Sequence, residues 1–345
     1  MKVRFWILDL LRWLLATYVI FFHFWAWTKE DVFWDSKQLT VSFLQFGYIS
    51  VDVFFIISGI AIAASVFNKT PKEFISSRIK RLIPTFIFVS LIETFVTLLI
   101  QLRGNYVSAI YSVLSTSAKN LLPVSGKDSE LRNFVAWSLA IEIQFYVLVL
   151  LGILIALWYF KDTNINLLNF CRLITALLYL AGLSNLKGIS SLAISVYLPY
   201  FLLGIYLWCL FSKDTGINKP KLIDLLTLVP ILTQTILMRL ASATIPNNEV
   251  IGATIFLALF LIILVSLVVK TPKIDYLSKT LGNSSYALYL LGGFTSIFLF
   301  TNLKDNVGIL ASSIIVYLFA CITSILYQVF VDQKFQRILF LKIQM

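Results

Sequence analysis

Ten long apolar stretches, nearly free of charged residues, constrain this chain more than any other feature of its sequence. A helix needs about 20 apolar residues to cross the hydrocarbon core of a bilayer, and most of the stretches reach that length. Only 13% of the 345 residues are charged and 59% are hydrophobic, whereas soluble proteins have about 25% charged residues. The stretches cover residues 5–27, 43–67, 84–102, 134–159, 170–185, 191–212, 222–240, 250–269, 283–301 and 307–331.

Lipid offers no hydrogen-bond partners to a backbone, so these spans should be helices. The sequence therefore predicts an all-α fold, a polytopic transmembrane bundle of about ten helices, with one domain over residues 1–345. We expect the first span to stay as an anchor, because Asp9 and Arg12 lie inside it and no small-residue cleavage site follows. The division between the fifth and sixth spans is the weakest, since residues 183–190 are only mildly polar.

The distribution of basic residues predicts the orientation of the chain. Loops on one side of the ten spans carry about twice as many Lys and Arg residues as loops on the other, which places both termini in the cytoplasm. This bias also explains the net charge of +11. No basic soluble module is present, so the bilayer and not nucleic acid is the expected partner. No feature of the sequence predicts an oligomeric state.

Cysteine usage predicts neither a disulfide framework nor a metal site. The three cysteines, Cys171, Cys209 and Cys321, lie in or beside apolar stretches and have no paired spacing.

The first span carries three ionisable residues, Asp9, Arg12 and His23. A charge at membrane depth costs about 3 kcal/mol or more, so each is a functional candidate. Asp9 and Arg12 are three residues apart and can form a purely structural pair. Arg12 and His23 point to one side of the helix, about 16 Å apart along its axis. His23 is the only histidine, and it is either a general base or an inert residue at the membrane interface.

Other predicted spans contain buried acids and a small-residue pair. Asp52 and Ser58-Gly59 lie in the second span, and Gly59 would let either a ligand or another helix approach closely. Glu142 lies inside the fourth span and needs a proton or a basic partner, such as Arg12 or His23 on a neighbouring helix.

Three further positions have both a structural and a functional interpretation. Glu93 is an acid in the third span, outside any motif. Trp137 is either an interfacial anchor or part of a site. Arg78 and Arg81, on the predicted cytoplasmic side, suit phosphate oxygens but also fit the ordinary excess of positive charge there.

Several segments resemble the acyltransferase-3 family of membrane acyltransferases. LDLLRWLLATYVIFFHF has the family's arginine and histidine separated by ten residues, and GYISVDVFFIISGI is similar to its second helix. SRIKRLIP resembles the paired-arginine segment before a proline, AWSLAIEIQFY the tryptophan–serine–leucine–x–x–glutamate segment, and LGNSSYALYLL the late tyrosine-containing helix.

The chain also departs from the family pattern. Members often carry a histidine after the late tyrosine pair, where this chain has Gly292. The glutamate–x–proline often seen near the end is replaced by a segment with Asp332 and no proline. We also expect no appended extracytoplasmic hydrolase-like domain.

The resemblance implies an O-acetyltransferase in a bacterial cytoplasmic (inner) membrane. It would move an acetyl or other short acyl group from acyl-CoA, used as a substrate and not held permanently, to a carbohydrate hydroxyl of a surface polysaccharide or its lipid-linked precursor. Catalysis would fall to His23, with Glu142 or Asp52 orienting it. Substrate binding would fall to Arg12, Arg78, Arg81, Ser58, Trp137 and Tyr146, with Tyr286 and Tyr289 as late-helix candidates.

Two other interpretations stay open from the sequence. Ten helices with buried charges also fit a transporter or flippase of a polar or lipid-linked substrate, although no two-half repeat is visible. A family member that kept the fold and lost activity would fit the absent late histidine. Within the enzyme hypothesis, direct transfer to the acceptor competes with an acyl-histidine intermediate.

Overall fold

The computed structural model of the chain describes residues 6–27, 43–66, 70–101, 135–160, 164–183, 193–211, 219–241, 249–268 and 275–332. Every regular element within these ranges is helical, which confirms the all-α prediction for them. The α-helices are α1 (Trp6–Phe22), α2 (Ile49–Val66), α3 (Pro71–Gln101), α4 (Ala136–Phe160), α5 (Asn164–Leu183), α6 (Ala193–Phe211), α7 (Leu222–Ala241), α8 (Glu249–Val268), α9 (Asp275–Leu291), α10 (Phe294–Val307) and α11 (Ile309–Leu326). A π-helical turn, His23–Trp27, continues α1, and a 3-10 turn, Gln45–Tyr48, precedes α2.

Five helical segments in the described ranges are long and apolar enough to cross a membrane, and a sixth crossing results if the bent pair α9 and α10 is counted as one. The chain is thus a multi-pass membrane protein. The five are Trp6–Trp25, Gln45–Val66, Trp137–Ile155, Val250–Val268 and Ile309–Asp332. The count of ten crossings and the cytoplasmic position of both termini stay predictions.

Large apolar side chains face outward on these helices. Trp158 of α4 is 83% exposed and Val250 of α8 is 76% exposed. In water each such side chain would forfeit burial free energy of about 1.5–3 kcal/mol. In lipid, exposure of these apolar side chains has no such cost in free energy.

The chain forms two compact units. Unit 1 contains Met1–Ser50, Arg78–Ala140 and Thr271–Met345, and unit 2 contains Val51–Ser77 and Ile141–Lys270. Several boundaries between the units fall inside helices. This division does not decide the number of domains, and one domain over residues 1–345 stays a prediction.

In unit 1, α1 packs tightly against α9 at two glycines. A Cβ atom on Gly282 would lie 2.4 Å from Cβ of Asp9, and one on Gly292 would lie 2.3 Å from Cγ1 of Ile20. Both contacts are closer than van der Waals separation, so only glycine fits. Because Asp9 and Ile20 meet Gly282 and Gly292 in that order, α1 and α9 run parallel.

Polar and aromatic contacts attach α10 and α11 to α1 and to the π-helical turn that continues it. Thr17 and Tyr317 share a hydrogen bond of 3.1 Å between their hydroxyl oxygens, and Trp25 Nε1 donates to Ser313 Oγ at 3.1 Å. Phe24, directly after His23, stacks on the ring of Phe300 in α10. The π-helical turn that carries His23 is therefore packed from two sides.

In unit 2, α2 and α6 cross with their backbones in contact. A Cβ on Gly59 would lie 2.2 Å from the carbonyl oxygen of Phe201, and one on Gly204 would lie 2.1 Å from that of Ile56. Phe201 also stacks on Phe145, with ring centroids 4.1 Å apart. Of the two interpretations of Gly59, close approach of a helix is the one observed.

An ion pair joins α5 and α7 within unit 2. Arg172 donates from Nε to Oδ1 of Asp224 and from Nη2 to Oδ2, each at 2.8 Å. The main-chain amide of Lys221 also donates to Oδ2 at 2.8 Å. This bidentate geometry is the strong form of the arginine–carboxylate contact.

Candidate active site

His23 lies where α1 ends and the π-helical turn begins. The residue is buried, with 6% of its surface exposed, and its ring Nδ1 lies 3.2 Å from the carbonyl oxygen of Gly292. A carbonyl oxygen can only accept a hydrogen bond, so Nδ1 carries the hydrogen in this contact. In the neutral ring the basic lone pair is then on Nε2. The fold thus selects the nitrogen that can take a proton.

The carbonyl that orients His23 comes from a break between two helices. α9 ends at Leu291 and α10 begins at Phe294. The axes of the two helices are bent by 64° relative to each other. The amide of Gly292 still completes α9 by donating to the Leu288 carbonyl at 2.9 Å. Because the helix is interrupted at this point, the Gly292 carbonyl accepts from a side chain rather than continuing the helical ladder.

Gly292 stands where the resemblance leads us to expect a histidine, and the structure gives a reason for the difference. Its missing Cβ would fall 2.3 Å from Cγ1 of Ile20, and Ile20 is fully buried. No side chain fits at position 292 while Ile20 occupies this space. From the sequence alone, Gly292 indicates only the loss of a second histidine. The structure makes it a main-chain partner of His23, a role that no side-chain motif could reveal.

Of the late-helix tyrosines, Tyr289 is held by two polar contacts in unit 1. Its buried hydroxyl lies 2.9 Å from Ser138 Oγ and donates to the carbonyl oxygen of Val135 at 3.3 Å. These contacts join α9 to the start of α4, next to the half-buried Trp137. Tyr286 lies one turn earlier on α9 and is also half-buried.

Three of the predicted site residues meet in unit 2 around the carboxylate of Glu142. Ser58 Oγ donates to Glu142 Oε1 at 2.6 Å, and the Tyr146 hydroxyl donates to the same oxygen. Ser58 and Tyr146 are buried, and Glu142 is half-buried. Two donors on one oxygen hold the carboxylate in a fixed orientation.

Asp52 is buried in the first turn of α2, with 2% of its surface exposed. Along α2 it lies about 9 Å from Ser58, so it belongs to a different level of the helix. Asp52 and Glu142 are residues of unit 2 and His23 is a residue of unit 1. A pairing of either acid with the imidazole therefore stays a prediction.

Arg12 and Asp9 form an ion pair on α1. Arg12 Nη1 lies 3.8 Å from Asp9 Oδ1, and their side chains are 16% and 9% exposed. At this separation the contact is electrostatic, longer than a hydrogen bond. The structural interpretation of the pair is therefore satisfied, and a role of Arg12 toward a substrate stays a prediction.

Arg78 and Arg81 lie one turn apart on α3, both in unit 1. Arg78 is buried, with 7% of its surface exposed, and Arg81 is half-buried. A surface charge that served topology alone would keep its guanidinium in water. The burial of Arg78 is consistent with a further role, and phosphate binding by the two residues stays a prediction.

Unit 1 also contains buried polar side chains that no sequence motif indicates. Each has a side-chain atom without a hydrogen-bond partner in the part of the chain that the structure describes. They are Gln45, Ser50, Thr295 and Ser296. Small polar residues inside apolar stretches look like packing residues in a sequence. Only the coordinates distinguish a satisfied hydroxyl from an unsatisfied one.

Comparison with known proteins gives one family and a set of relatives. A family model described as an acyltransferase domain matches residues 5–329. O-acetyltransferase OatA of Staphylococcus aureus strain NCTC 8325 / PS 47 is 28% identical over 286 residues, which are 73% of this chain and 46% of that relative. OatA of strains COL and MRSA252 gives the same values. The chain thus spans less than half the length of these curated relatives. No solved structure matches it. The match over nearly all of its length shows that the chain belongs to the acyltransferase-3 family.

Proposed function

We propose that the chain transfers an acetyl or other short acyl group from acyl-CoA to a carbohydrate hydroxyl at a bacterial cytoplasmic membrane. The observation that carries the proposal is the buried His23, whose Nδ1 contacts the Gly292 carbonyl at 3.2 Å and whose Nε2 is therefore the basic nitrogen. Family membership supports acyl transfer. The name of the S. aureus relatives supports an O-linked acetyl product. The acceptor is a cell-surface polysaccharide or its lipid-linked precursor.

In the proposed reaction His23 acts as a general base. Its Nε2 takes the proton of the acceptor hydroxyl while the hydroxyl oxygen attacks the thioester carbonyl carbon. When the C–S bond breaks, the imidazolium returns that proton to the leaving sulfur. The histidine is thus unchanged after each turnover.

The donor is proposed to enter from the cytoplasmic side. Arg78 and Arg81 bind phosphates of coenzyme A, because guanidinium groups match phosphate oxygens in charge and geometry. The pantetheine arm extends past Arg12 and presents its thioester near His23. Arg12 and His23 are about 16 Å apart along the helix axis, a distance that an extended pantetheine arm can bridge.

The Gly292 carbonyl changes what is left for the acidic residues to do. Since it already accepts from Nδ1, Glu142 or Asp52 would act by stabilising the positive charge of the imidazolium. A neutral carbonyl stabilises that charge less than a carboxylate does. The competing route is an acyl-histidine intermediate formed on Nε2. A burst of free coenzyme A in the absence of acceptor would identify that route.

The test uses the full chain in lipid nanodiscs, with labelled acetyl-CoA and a bacterial glycan preparation as acceptor. In His23→Asn, the side-chain amide replaces the Nδ1 donor to Gly292 but provides no base. We expect at least a hundredfold loss of transfer, with unchanged insertion and thermal stability. His23→Ala removes both functions and should lose stability as well as activity.

Normal transfer by a well-folded His23→Asn variant would refute the proposed mechanism. The same assay separates the enzyme from a transporter, since a transporter releases no coenzyme A. The structure contains one bent helix pair in the described ranges, whereas transporters with inverted repeats break a matching pair. This difference favours the enzyme.

A further inference from the structure

Buried and half-buried hydroxyl groups in the helices of this chain commonly donate to a carbonyl of the preceding turn. Thr301 donates to the Phe298 carbonyl at 3.0 Å, and Ser313 donates to that of Ile309 at 2.8 Å. Thr295 and Ser296 are different. Both are 0% exposed, and neither hydroxyl has a partner among the described residues. Their position explains why neither hydroxyl has a partner. Both residues are in the first turn of α10, and the turn before them belongs to the other side of the bend between α9 and α10.

The backbone of the same turn adds donors. The first amides of any helix have no carbonyl within the helix to bond, and they form the positive end of its dipole. In α10 the N-cap residue is Gly293, and within the part of the chain that the structure describes no side-chain cap hydrogen bond is formed there. The first turn of α10 therefore gathers hydroxyl and amide donors in a fully buried place. Such an arrangement matches an oxygen that carries negative charge.

This turn is close to His23 in unit 1. Gly292, whose carbonyl contacts the imidazole at 3.2 Å, precedes Thr295 by three residues, so their Cα atoms are at most about 11 Å apart. Phe24, the residue after His23, stacks on Phe300 of α10 with ring centroids 4.9 Å apart. The turn that carries His23 thus contacts the chain directly before α10, through the imidazole, and the middle of α10, through Phe24.

We infer that the first turn of α10, with the hydroxyls of Thr295 and Ser296, binds the carbonyl oxygen of the acyl thioester and stabilises the oxyanion that forms on it. The inference rests on the proposed function. When the acceptor oxygen bonds to the carbonyl carbon, the electron pair of the C=O double bond moves to this oxygen, and His23 holds the acceptor's proton. Collapse restores the double bond and expels the sulfur, which takes the proton.

The donor set favours this oxygen over a phosphate of the same substrate. Hydroxyls and amides are neutral donors, and the basic residue of α10, Lys304, is in its last turn. A permanently charged phosphate removed from water requires arginine or lysine beside it. A transient oxyanion is stabilised well by preorganised neutral donors.

The test compares Thr295→Val/Ser296→Ala with wild type in nanodiscs. Valine has nearly the shape of threonine, so packing is retained. We expect kcat for acetyl transfer to fall about 10- to 1000-fold, with the donor KM changed less than about twofold. Thr295→Ser keeps a hydroxyl and should keep most of the activity. The matched control is Thr301→Val on the same helix, whose hydroxyl is already satisfied, and its kcat should not change.

A spectroscopic readout separates oxyanion binding from a purely structural role. Acetonyl-CoA labelled with ¹³C at its ketone is bound to each protein, and the infrared C=O stretch is measured. Wild type and Thr301→Val should shift the stretch to lower frequency, and the double variant should lose that shift. Unchanged kcat and an unchanged stretch in the double variant would overturn this inference alone, provided that wild type is active and His23→Asn is not. Absence of transfer by wild type would overturn both the inference and the proposed function.

Discussion

The contact between Gly292 and Ile20 leads to a prediction that opposes ordinary expectation for glycine. Among the described residues, the glycine with positive φ is Gly308, so the backbone at Gly292 accepts alanine. On backbone entropy alone, Gly292→Ala would then stabilise the protein by about 0.4–1 kcal/mol. The structure predicts the reverse, because the new Cβ would lie 2.3 Å from Cγ1 of Ile20.

The size of the effect follows from the distance. Carbon atoms prefer a separation of about 3.5 Å or more, so α1 and α9 must separate by about 1 Å at this level. Overpacking of this kind costs about 1–3 kcal/mol. The His23 Nδ1 contact with Gly292, 3.2 Å in the native protein, would exceed hydrogen-bonding distance after such a shift. Stability and acyl transfer should therefore fall together.

Two substitutions of Ile20 test the cause. Ile20→Val keeps Cγ1 and should not relieve Gly292→Ala. Ile20→Ala removes Cγ1; by itself it should cost about 2–5 kcal/mol, because Ile20 is fully buried. Combined with Gly292→Ala, it should cost less than the sum of the two single variants by about 1–3 kcal/mol. The measurements are reversible unfolding in mixed detergent micelles and acetyl transfer in nanodiscs. A Gly292→Ala protein as stable and active as wild type would refute the reasoning.

Two further predictions concern the carboxylate and the paired arginines. Ser58→Ala and Tyr146→Phe each remove one donor to Glu142 and should cost about 1.5–3 kcal/mol of unfolding free energy. The double variant should be non-additive, since the two donors share an oxygen. A loss of stability without any change in kcat would show that these two contacts support only the fold. Arg81→Ala should raise the KM for acetyl-CoA about 10- to 100-fold, with Arg81→Lys intermediate. Neither Arg81 variant should alter the KM for S-acetylpantetheine, which lacks the nucleotide phosphates, and an equal rise for both donors would exclude phosphate binding by Arg81.

The sequence predicted the helical membrane fold well, because span length and the lack of charge leave few alternatives in lipid. It did not predict the break after Leu291. The stretch 283–301 is apolar throughout, and Gly292-Gly293 in such a stretch is equally typical of close helix packing. The structure shows both features at this point, because Gly292 packs closely against Ile20 and the chain bends by 64° between α9 and α10.

The candidate site was predicted in part. Motif spacing selected Ser58, Glu142 and Tyr146, which the structure brings together, and it selected His23. It missed the contact of His23 with Gly292, since a main-chain carbonyl has no sequence signature. It also missed Thr295 and Ser296, because the state of a hydroxyl depends on where a helix begins, and sequence patterns locate that point only within a few residues.

The crossing of α2 and α6 has a consequence for Ser58. Gly59 and Gly204 abut main-chain carbonyls rather than movable side chains, so α2 cannot turn about its own axis without a collision between backbones. The direction in which Ser58, the residue next to Gly59, points around the axis of α2 is therefore fixed. The hydroxyl of Ser58 points at Glu142 because of its rotamer and also because Gly59 and Gly204 fix the orientation of the whole helix.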